Sequence, residues 1–333
     1  MHKHKAARCK FNEFKALSKQ RGAALLTAML TVALIASLAT GALWQQWRDV
    51  EIEAAERSRA QSIWVLTGAL DWARLILRED ARTGGADHLG EPWAVPLAEA
   101  RLSTFLAVDK NTTSADEASV LPQVFLSGQI VDLQSRLNVM NLVDGGKVSE
   151  PAQAAFARLF EGLGLAPAEL DVLASNLKLA LDPAASAQAP LMPQRVAQLG
   201  WLGLSPASIT ALQPYITLLP VRTPVNLNTA TALVLFAAIP KLDMAQAERM
   251  VTSRQSAQFL TLGDARKLIG EPIDRISELQ HSVNSRFFEV RGQLRHERST
   301  IEEYSVVERN AQDVKTLWRD RGSLPPLPPA TLQ

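Results

Sequence analysis

The feature that most constrains this chain is an apolar run near its N-terminus. Residues 23–43 read AALLTAMLTVALIASLATGAL, 21 residues without a charged side chain. About 20 apolar residues in a helix are enough to cross the hydrocarbon layer of a bilayer. The run therefore predicts a transmembrane helix, and Trp44 and Trp47 follow it at the position where interfacial aromatic side chains are common.

Charged residues are distributed unevenly around this run. Seven of the 35 Lys and Arg residues precede Ala23, but only one of the 34 Asp and Glu residues does, so the rest of the chain has 28 basic and 33 acidic residues. Because positive flanks stay in the cytoplasm, we expect the N-terminus there and the body across the membrane. A body with a net charge of −5 is a poor electrostatic partner for nucleic acid.

A cleaved secretory signal peptide is the alternative interpretation, because it also has a basic flank and an apolar run. The run here is longer than a signal peptide core of about 7 to 15 residues. Apolar residues also continue beyond Trp47 at helical spacing, with no proline before Pro92. They are Ile52, Ala55, Ile63, Leu66, Leu70, Ala73 and Leu77. We therefore predict one retained helix over residues 23–80.

The remaining sequence predicts both strands and helices. Alternating apolar residues favour a hairpin of Phe287–Arg295 and Ile301–Arg309 that turns near 298–300. They also favour two short strands, 123–126 and 129–133, split by Ser127-Gly128. Ala- and Leu-rich segments separated by proline favour helices at 153–163, 167–181, 191–199, 206–212, 230–239 and 244–254.

The predicted fold class is therefore α+β. A long N-terminal transmembrane helix packs on a small antiparallel sheet, and a large all-α domain is inserted into the chain. The predicted organisation is a basic leader at 1–22, a long helix at 23–80 with 23–43 in the membrane, the first part of an α/β domain at 81–149, an inserted α-domain at 150–284, a C-terminal hairpin region at 285–320 and a Pro-rich tail at 321–333.

Four sequence blocks carry a family resemblance. They are QRGAALL at 20–26, DHLGEPW at 87–93, SGQIVDLQSRLN at 127–138 and PVNLNTA at 224–230. The first resembles a type IV prepilin peptidase site cleaved between Gly22 and Ala23. In this order the four blocks resemble the minor pseudopilin K (GspK) family of type II secretion systems. A product cut after Gly22 has no cysteine, because the one cysteine is Cys9.

The resemblance implies an inner-membrane subunit with one span, a cytoplasmic N-terminus and a periplasmic pseudopilin fold. It implies a place at the tip of the pseudopilus beside minor pseudopilins I, J and H and the major pseudopilin, processing by prepilin peptidase, and methylation of the Ala23 amine. Most pilin-like subunits carry Glu at the fifth mature position, whereas this family usually lacks it. That position is Thr27 here, which fits a subunit with no neighbour in front of it, because a carboxylate buried in lipid needs a cationic partner. Without the surrounding blocks, a small polar residue that a membrane helix tolerates is the favoured interpretation.

The chain departs from the family at its calcium loop. Family α-domains usually have an acidic, glycine-containing loop, but residues 179–190 read LALDPAASAQAP, with Asp182 as the one acid. Calcium takes six to eight oxygen ligands, several of them normally carboxylates. We therefore predict no calcium there, and no other metal or cofactor. The sequence leaves a second site open at Asp109, Asn111, Asp116 and Glu117, where a solvated polar loop is favoured.

The alternative function is that of a membrane-anchored DNA receptor. Residues 225–240 resemble the first half of a helix-hairpin-helix unit, in which backbone N–H groups of a glycine-bearing hairpin bind phosphate. The hairpin here, IPKLD at 239–243, has no glycine, a proline without a donor, and Asp243 facing any phosphate. A packing unit in which Asn226, Asn228 and Thr229 cap a helix is favoured, and no nucleic-acid partner is expected.

Catalytic signatures are missing from the sequence. It contains no H-E-x-x-H, G-x-S-x-G or G-x-x-x-x-G-K motif. Asp87, His88 and Glu91 could be imagined as metal ligands, but a structural polar loop explains them better. We therefore predict a protein that is not an enzyme, with no catalytic residue.

Overall fold

The computed structural model describes residues 11–102, 124–182, 184, 189–270, 275–296 and 299–322, with side chains from Gly22 onward. The chain has two compact units, Met1–Trp64 and Val65–Gln333. It mixes helices with an antiparallel sheet, so the predicted α+β class is confirmed.

Helices and strands are numbered along the described residues. The helices are α1 (Phe11–Thr83), α2 (Glu150–Gly162), α3 (Pro167–Ala180), α4 (Pro206–Leu212), α5 (Ala232–Ala238), α6 (Met244–Ser256) and α7 (Leu262–Ile269). The strands are β1 (Leu97–Arg101), β2 (Val124–Asp132), β3 (Leu137–Asn138), β4 (Val143–Asp144), β5 (Lys147–Val148), β6 (Ile216–Thr217), β7 (Val225–Asn226), β8 (His281–Ser282), β9 (Phe287–His296), β10 (Ser299–Asn310) and β11 (Asp313–Arg321). Short 3-10 helices lie at Pro92–Ala94, Leu133–Ser135, Val139–Leu142 and Val196–Leu202.

Helix α1 supplies the described part of the first unit. From Gly22 it contains an 18-residue window of mean hydropathy 2.1, none of it buried, so its length and composition suit a membrane span. The helix begins inside the basic leader and ends at Thr83, so it is longer at both ends than the predicted 23–80. Gly84, with φ +68°, follows the last turn, because glycine takes the left-handed conformation without a Cβ clash.

The second unit is built on a five-stranded antiparallel sheet in the order β1-β2-β9-β10-β11. The predicted hairpin is present as β9 and β10, although Ser299 and Thr300, expected near its turn, already lie in β10. Sequence patterns missed both edge strands, β1 and β11. The C-terminal part of α1 packs on one face of the sheet, where Leu70 and Leu77 meet Phe288.

Strand β2 is continuous, so the prediction of two short strands split by Ser127-Gly128 is wrong. Gly128 stands opposite Gly292 of β9 in unbroken register. A Cβ on Gly128 would lie 2.8 Å from the carbonyl oxygen of Arg291, and one on Gly292 would lie 3.1 Å from Leu66. Gly128 is therefore required for the close approach of the two strands, and Gly292 leaves room for Leu66 of α1; neither glycine marks a break in the strand.

The α-domain lies between β2 and β9, two neighbouring strands of the sheet. Its core is formed by apolar side chains that include Phe156, Leu173 and Leu235. Helices α2 to α6 match predicted segments, but α7 was missed. The prediction of a helix at 191–199 is wrong, because the chain forms a 3-10 helix at Val196–Leu202 instead. At the start of this helix, Gln198 Oε1 accepts the backbone amides of residues 194 and 195.

Candidate functional site

Three of the four sequence blocks meet where the chain leaves and re-enters the sheet. Asp132 ends β2 and faces Phe288 near the start of β9. The α-domain occupies the intervening sequence, so this end of the sheet is where it is attached. We call the buried polar groups at this place the junction, which consists of Asp80, Asp87, Asp132, Gln134, Asn226, Thr229, Ser285 and Arg309.

Asp132 is at the centre of the junction and is almost fully buried. Its Oδ1 accepts the Gln134 amide at 2.7 Å, which caps a short 3-10 helix. Its Oδ2 accepts from Thr229 Oγ1 at 2.5 Å, Ser285 Oγ at 2.6 Å and Asn226 Nδ2 at 3.2 Å. One carboxylate therefore joins β2 to three positions of the chain that are far away in sequence.

Asn226 extends the network from Asp132 to the loop after α1. It is fully buried, and its Nδ2 also lies 3.2 Å from the Asp87 carbonyl oxygen and 2.9 Å from Ser285 Oγ. The prediction that Asn226, Asn228 and Thr229 cap a helix is wrong, because Thr231 caps α5 by accepting the Val234 amide. The side chains of the 224–230 block make tertiary contacts instead.

Arg309 closes the network from β10. Its guanidinium donates to Asp80 and Asp87 at 2.5 Å each and to the Ser285 carbonyl oxygen at 2.9 Å, and it lies over the Phe288 ring. Asp87 also accepts the Ser285 amide at 2.6 Å. Helix α1, its following loop, β10 and the segment before β9 are thus held at one point.

Further amide side chains of the same blocks link backbones. Gln134 donates to the Pro224 carbonyl oxygen and accepts the Arg286 amide. Asn138 donates to the Val221 carbonyl oxygen and accepts the Leu219 amide. Asn228 bonds both backbone groups of Phe259. Each amide thus satisfies polar backbone groups that the fold has buried.

Burial dominates the electrostatics of the junction. It raises the pKa of Asp132 to about 6, against the hydrogen bonds from Ser285, Thr229 and the Gln134 amide, which favour the charged form. It also raises the pKa of Asp87, although the Arg309 guanidinium opposes this shift. Every carboxylate here is committed to neighbours in the chain, so the arrangement suits a structural lock and offers no free nucleophile or base.

Asp87, His88 and Glu91, considered above as possible metal ligands, do not all come together. Asp87 and Glu91 come together with Asp80, with oxygens within 4.8 Å of one another, whereas His88 Nδ1 accepts the Gly90 amide. At the position of the family's calcium loop, where we predict no calcium, Asp182 accepts the Ala184 amide at 2.9 Å. Residues 109–117, at which the sequence leaves a second metal site possible, lie outside the described residues.

The helix-hairpin-helix likeness ends at the hairpin 239–243, where the Asp243 amide donates to Gln246 Oε1 at 3.1 Å. Asp243 accepts the Gln246 amide at 2.6 Å and so caps α6, and the Leu242 amide bonds the Ile239 carbonyl oxygen. Lys241 takes the left-handed conformation, with φ 59°, that glycine would adopt without strain. The Leu242 and Asp243 amides of the hairpin are therefore already bonded to acceptors of the chain itself.

The residues of the predicted processing site lie within α1. Gly22 and Ala23 are exposed, and a Cβ on Gly22 would meet no heavy atom within 4 Å. Thr27 Oγ1 donates to the Ala24 carbonyl oxygen at 2.9 Å. Its hydroxyl is satisfied inside the helix, so this position needs no polar partner from another chain.

An apolar groove of ≈ 250 Å³ lies between α1 and the sheet. Trp72, Trp93 and Leu126 are among its lining residues. The acid at its edge, Glu303, is paired with Arg319 at 2.5 Å and Arg321 at 2.6 Å. The described lining residues thus present apolar surface without a set of groups for acid-base or nucleophilic chemistry.

Comparison with known proteins gives matches along most of the chain. Two family models, both described as type II secretion system (T2SS), protein K, match residues 135–221 and 225–279. Type II secretion system protein K of Pseudomonas aeruginosa is 28% identical over 327 residues, 91% of this chain and 90% of that protein. The protein K of Pectobacterium carotovorum subsp. carotovorum is 25% identical over 340 residues, 92% and 97% of the two chains.

A solved structure shares the fold. It belongs to the GspK-GspI-GspJ complex of the enterotoxigenic Escherichia coli type 2 secretion system and aligns with a TM-score of 0.61 and 16% identity. The alignment covers 81% of this chain and 99% of that one.

Proposed function

This chain belongs to the type II secretion system protein K family, and we propose that it acts as a minor pseudopilin that supports protein export across the outer membrane. The likeness to the curated relatives runs through nearly the whole chain, and this observation carries the proposal. The apolar part of α1, which has no buried residue, fits a subunit that stays in the inner membrane with its body in the periplasm.

We place the subunit at the tip of the pseudopilus. A helical filament grows through head-to-tail contacts that need not close, so a subunit whose bulk blocks the next position ends it. The α-domain between β2 and β9 supplies such bulk, and the junction fixes it to the sheet. Thr27 also supports a place at the tip. A carboxylate at this position would need a cationic partner in the lipid, and a terminal subunit has no neighbour to provide one, so an uncharged residue fits.

The proposed partners are minor pseudopilins I and J, with H and the major pseudopilin below them. The solved GspK that shares this fold forms a complex with GspI and GspJ. The test is co-purification of the tagged full chain, extracted in mild detergent, with the I and J homologues expressed in the same cells. We expect a stable complex that contains all three proteins. Recovery of the full chain without I and J, while I and J form their own complex, would contradict the proposal.

We also propose that prepilin peptidase cuts between Gly22 and Ala23 and that the new amine is methylated. Gly22→Val tests the cut, and Gly41→Val is the matched control. A Cβ at either glycine meets no heavy atom within 4 Å, so neither change creates a clash in the chain. We expect mass spectrometry to find the leader retained in Gly22→Val and removed in Gly41→Val. Removal in both variants would show that cleavage occurs elsewhere.

A further inference from the structure

Three carboxylates meet at the end of α1 with one cation between them. Asp80 comes from α1, and Asp87 and Glu91 from the following loop; their oxygens lie within 4.8 Å of one another. The charged group that faces them from β10 is Arg309, which pairs with both Asp80 and Asp87. If all three acids were ionised, the cluster would hold two uncompensated negative charges.

Glu91 is the member without an ionic partner among the described residues. Its Oε2 accepts the His88 amide at 2.9 Å and the Trp93 indole N–H at 2.7 Å. Its Oε1 accepts no hydrogen bond in the described part of the chain. Like charges this close disfavour ionisation of one group, and Oε1 is where a proton would be held.

We propose that Glu91 binds a proton near neutral pH, and that this proton tightens the attachment of the 87–93 loop to α1 and β10. The loop is already tied to the junction through Asp87, so the proton acts on the point where the α-domain is fixed. This proton then adds stability to the fold as the pH falls from alkaline to neutral.

A proton suits the cluster better than a metal ion. Both Asp87 oxygens are occupied, one by Arg309 and one by the Ser285 amide, and Asp80 Oδ2 is held by Arg309. Too few carboxylate oxygens remain for the six to eight ligands of calcium or a closed set of four for zinc.

The titration of Glu91 has the sign that the proposal needs. Burial, with smaller contributions from Asp80 and Asp87, raises the pKa of Glu91 from 4.5 to about 7. A raised folded-state pKa means that the stabilisation is complete below about 4.5 and is lost as the pH rises through about 7. Asp132, whose pKa is about 6, adds a smaller stabilisation as the pH falls, whereas His281, whose pKa burial lowers from 6.5 to about 4, opposes it because its unfolded form takes up a proton near pH 6.5. Wild type and Glu91→Gln share both contributions, so comparing the two isolates Glu91.

The experiment compares pH 8.5 with pH 6.5 for the full chain in detergent micelles containing EDTA. Unfolding by urea is followed by tryptophan fluorescence. We expect the ratio of the wild-type to the Glu91→Gln folding equilibrium constant to rise about fourfold at the lower pH. Glu91→Gln keeps an oxygen for both hydrogen bonds and needs no proton, so it lacks the rise that Glu91 causes, and its constant should exceed that of wild type at pH 8.5. Glu99→Gln, at an exposed Glu paired with Arg295, should behave as wild type.

A spectroscopic measurement reports the proton directly. The indole N–H signal of Trp93 in a ¹H–¹⁵N NMR spectrum should titrate with a midpoint near 7 in wild type and stay fixed in Glu91→Gln. The same pH response in wild type and Glu91→Gln would overturn the proposal. Stabilisation of wild type at pH 8.5 by calcium, magnesium or zinc, absent in Glu91→Gln, would overturn it in favour of a bound cation.

Discussion

The two compact units satisfy their polar groups in opposite ways. In Met1–Trp64, the hydroxyls of Thr27, Thr31 and Thr40 donate to carbonyl oxygens three or four residues earlier in the same helix. In the second unit, Asp132 bonds Ser285 and Arg309 bonds Asp87 across 153 and 222 residues of sequence. The first unit needs only a helix and an apolar environment, whereas the second depends on its tertiary fold.

Removing the cation of the junction is the strongest way to break this dependence. Arg309→Met leaves Asp80 and Asp87 buried without their cation, and loss of one partner of a buried ion pair costs about 3 to 5 kcal/mol. Urea unfolding should show this loss. Arg295→Met is the control, because its pair with Glu99 is exposed and screened by solvent, so its loss should be small. Equal losses of unfolding free energy in the two variants would mean that the buried ion pairs of the junction contribute no more stability than an exposed pair.

A charge placed in the first unit should impair membrane insertion and not folding. Leu34→Asp puts a charge in the apolar run, at a cost of about 2.5 to 3.5 kcal/mol for membrane insertion. We expect less protein in the membrane fraction. Leu75→Asp, on the same helix but in the second unit and half exposed, is the control and should leave membrane association unchanged. Full membrane retention of Leu34→Asp would contradict the transmembrane assignment.

A matched pair of hydroxyl deletions sharpens the comparison. Thr229→Val removes a donor to buried Asp132 and should cost about 1 to 3 kcal/mol of unfolding free energy. Thr31→Val removes a hydroxyl bonded only to the Ala28 carbonyl oxygen of its own helix and should cost less than about 0.5 kcal/mol. Urea titrations of both variants measure the difference, and a larger loss for Thr31→Val would reverse the account.

The smallest effect concerns a local conformation. Lys241→Gly should raise the unfolding free energy by about 1 kcal/mol, because lysine is held at φ 59° where glycine is unstrained. Lys267→Gly, at an exposed position in α7, should lower it by a similar amount. The two variants therefore shift the urea midpoint in opposite directions, and a shared sign would show that backbone strain at Lys241 is absent.

The sequence predicts what depends on local pattern. The charge-free run, the α+β class and the β9-β10 hairpin follow from periodicity, which short segments carry by themselves. Strand β11 was missed because its residues are largely exposed and charged, so it shows little alternation. The sequence pattern predicts a strand break at Gly128 because the role of this glycine depends on Gly292, which is far away in sequence and pairs with it only in the sheet.

The junction could be predicted only in part. The quoted blocks contain Asp87, Asp132 and Asn226, but nothing in their spacing shows that these residues meet. Asp80, Ser285 and Arg309 carry no local signal, since an Arg within a strand pattern looks like any solvated cation. The contacts arise from the return of the chain to the sheet after the α-domain, and this is a property of the topology.

The most direct test of retained anchoring is where the wild-type protein is found and which residue begins it. Cells that contain active prepilin peptidase are separated into membrane and periplasmic fractions, and the intact mass of the chain is measured in each. We expect the protein in the membrane fraction with Ala23 as its first residue. A soluble periplasmic form that begins beyond Trp44 would contradict an anchored pseudopilin.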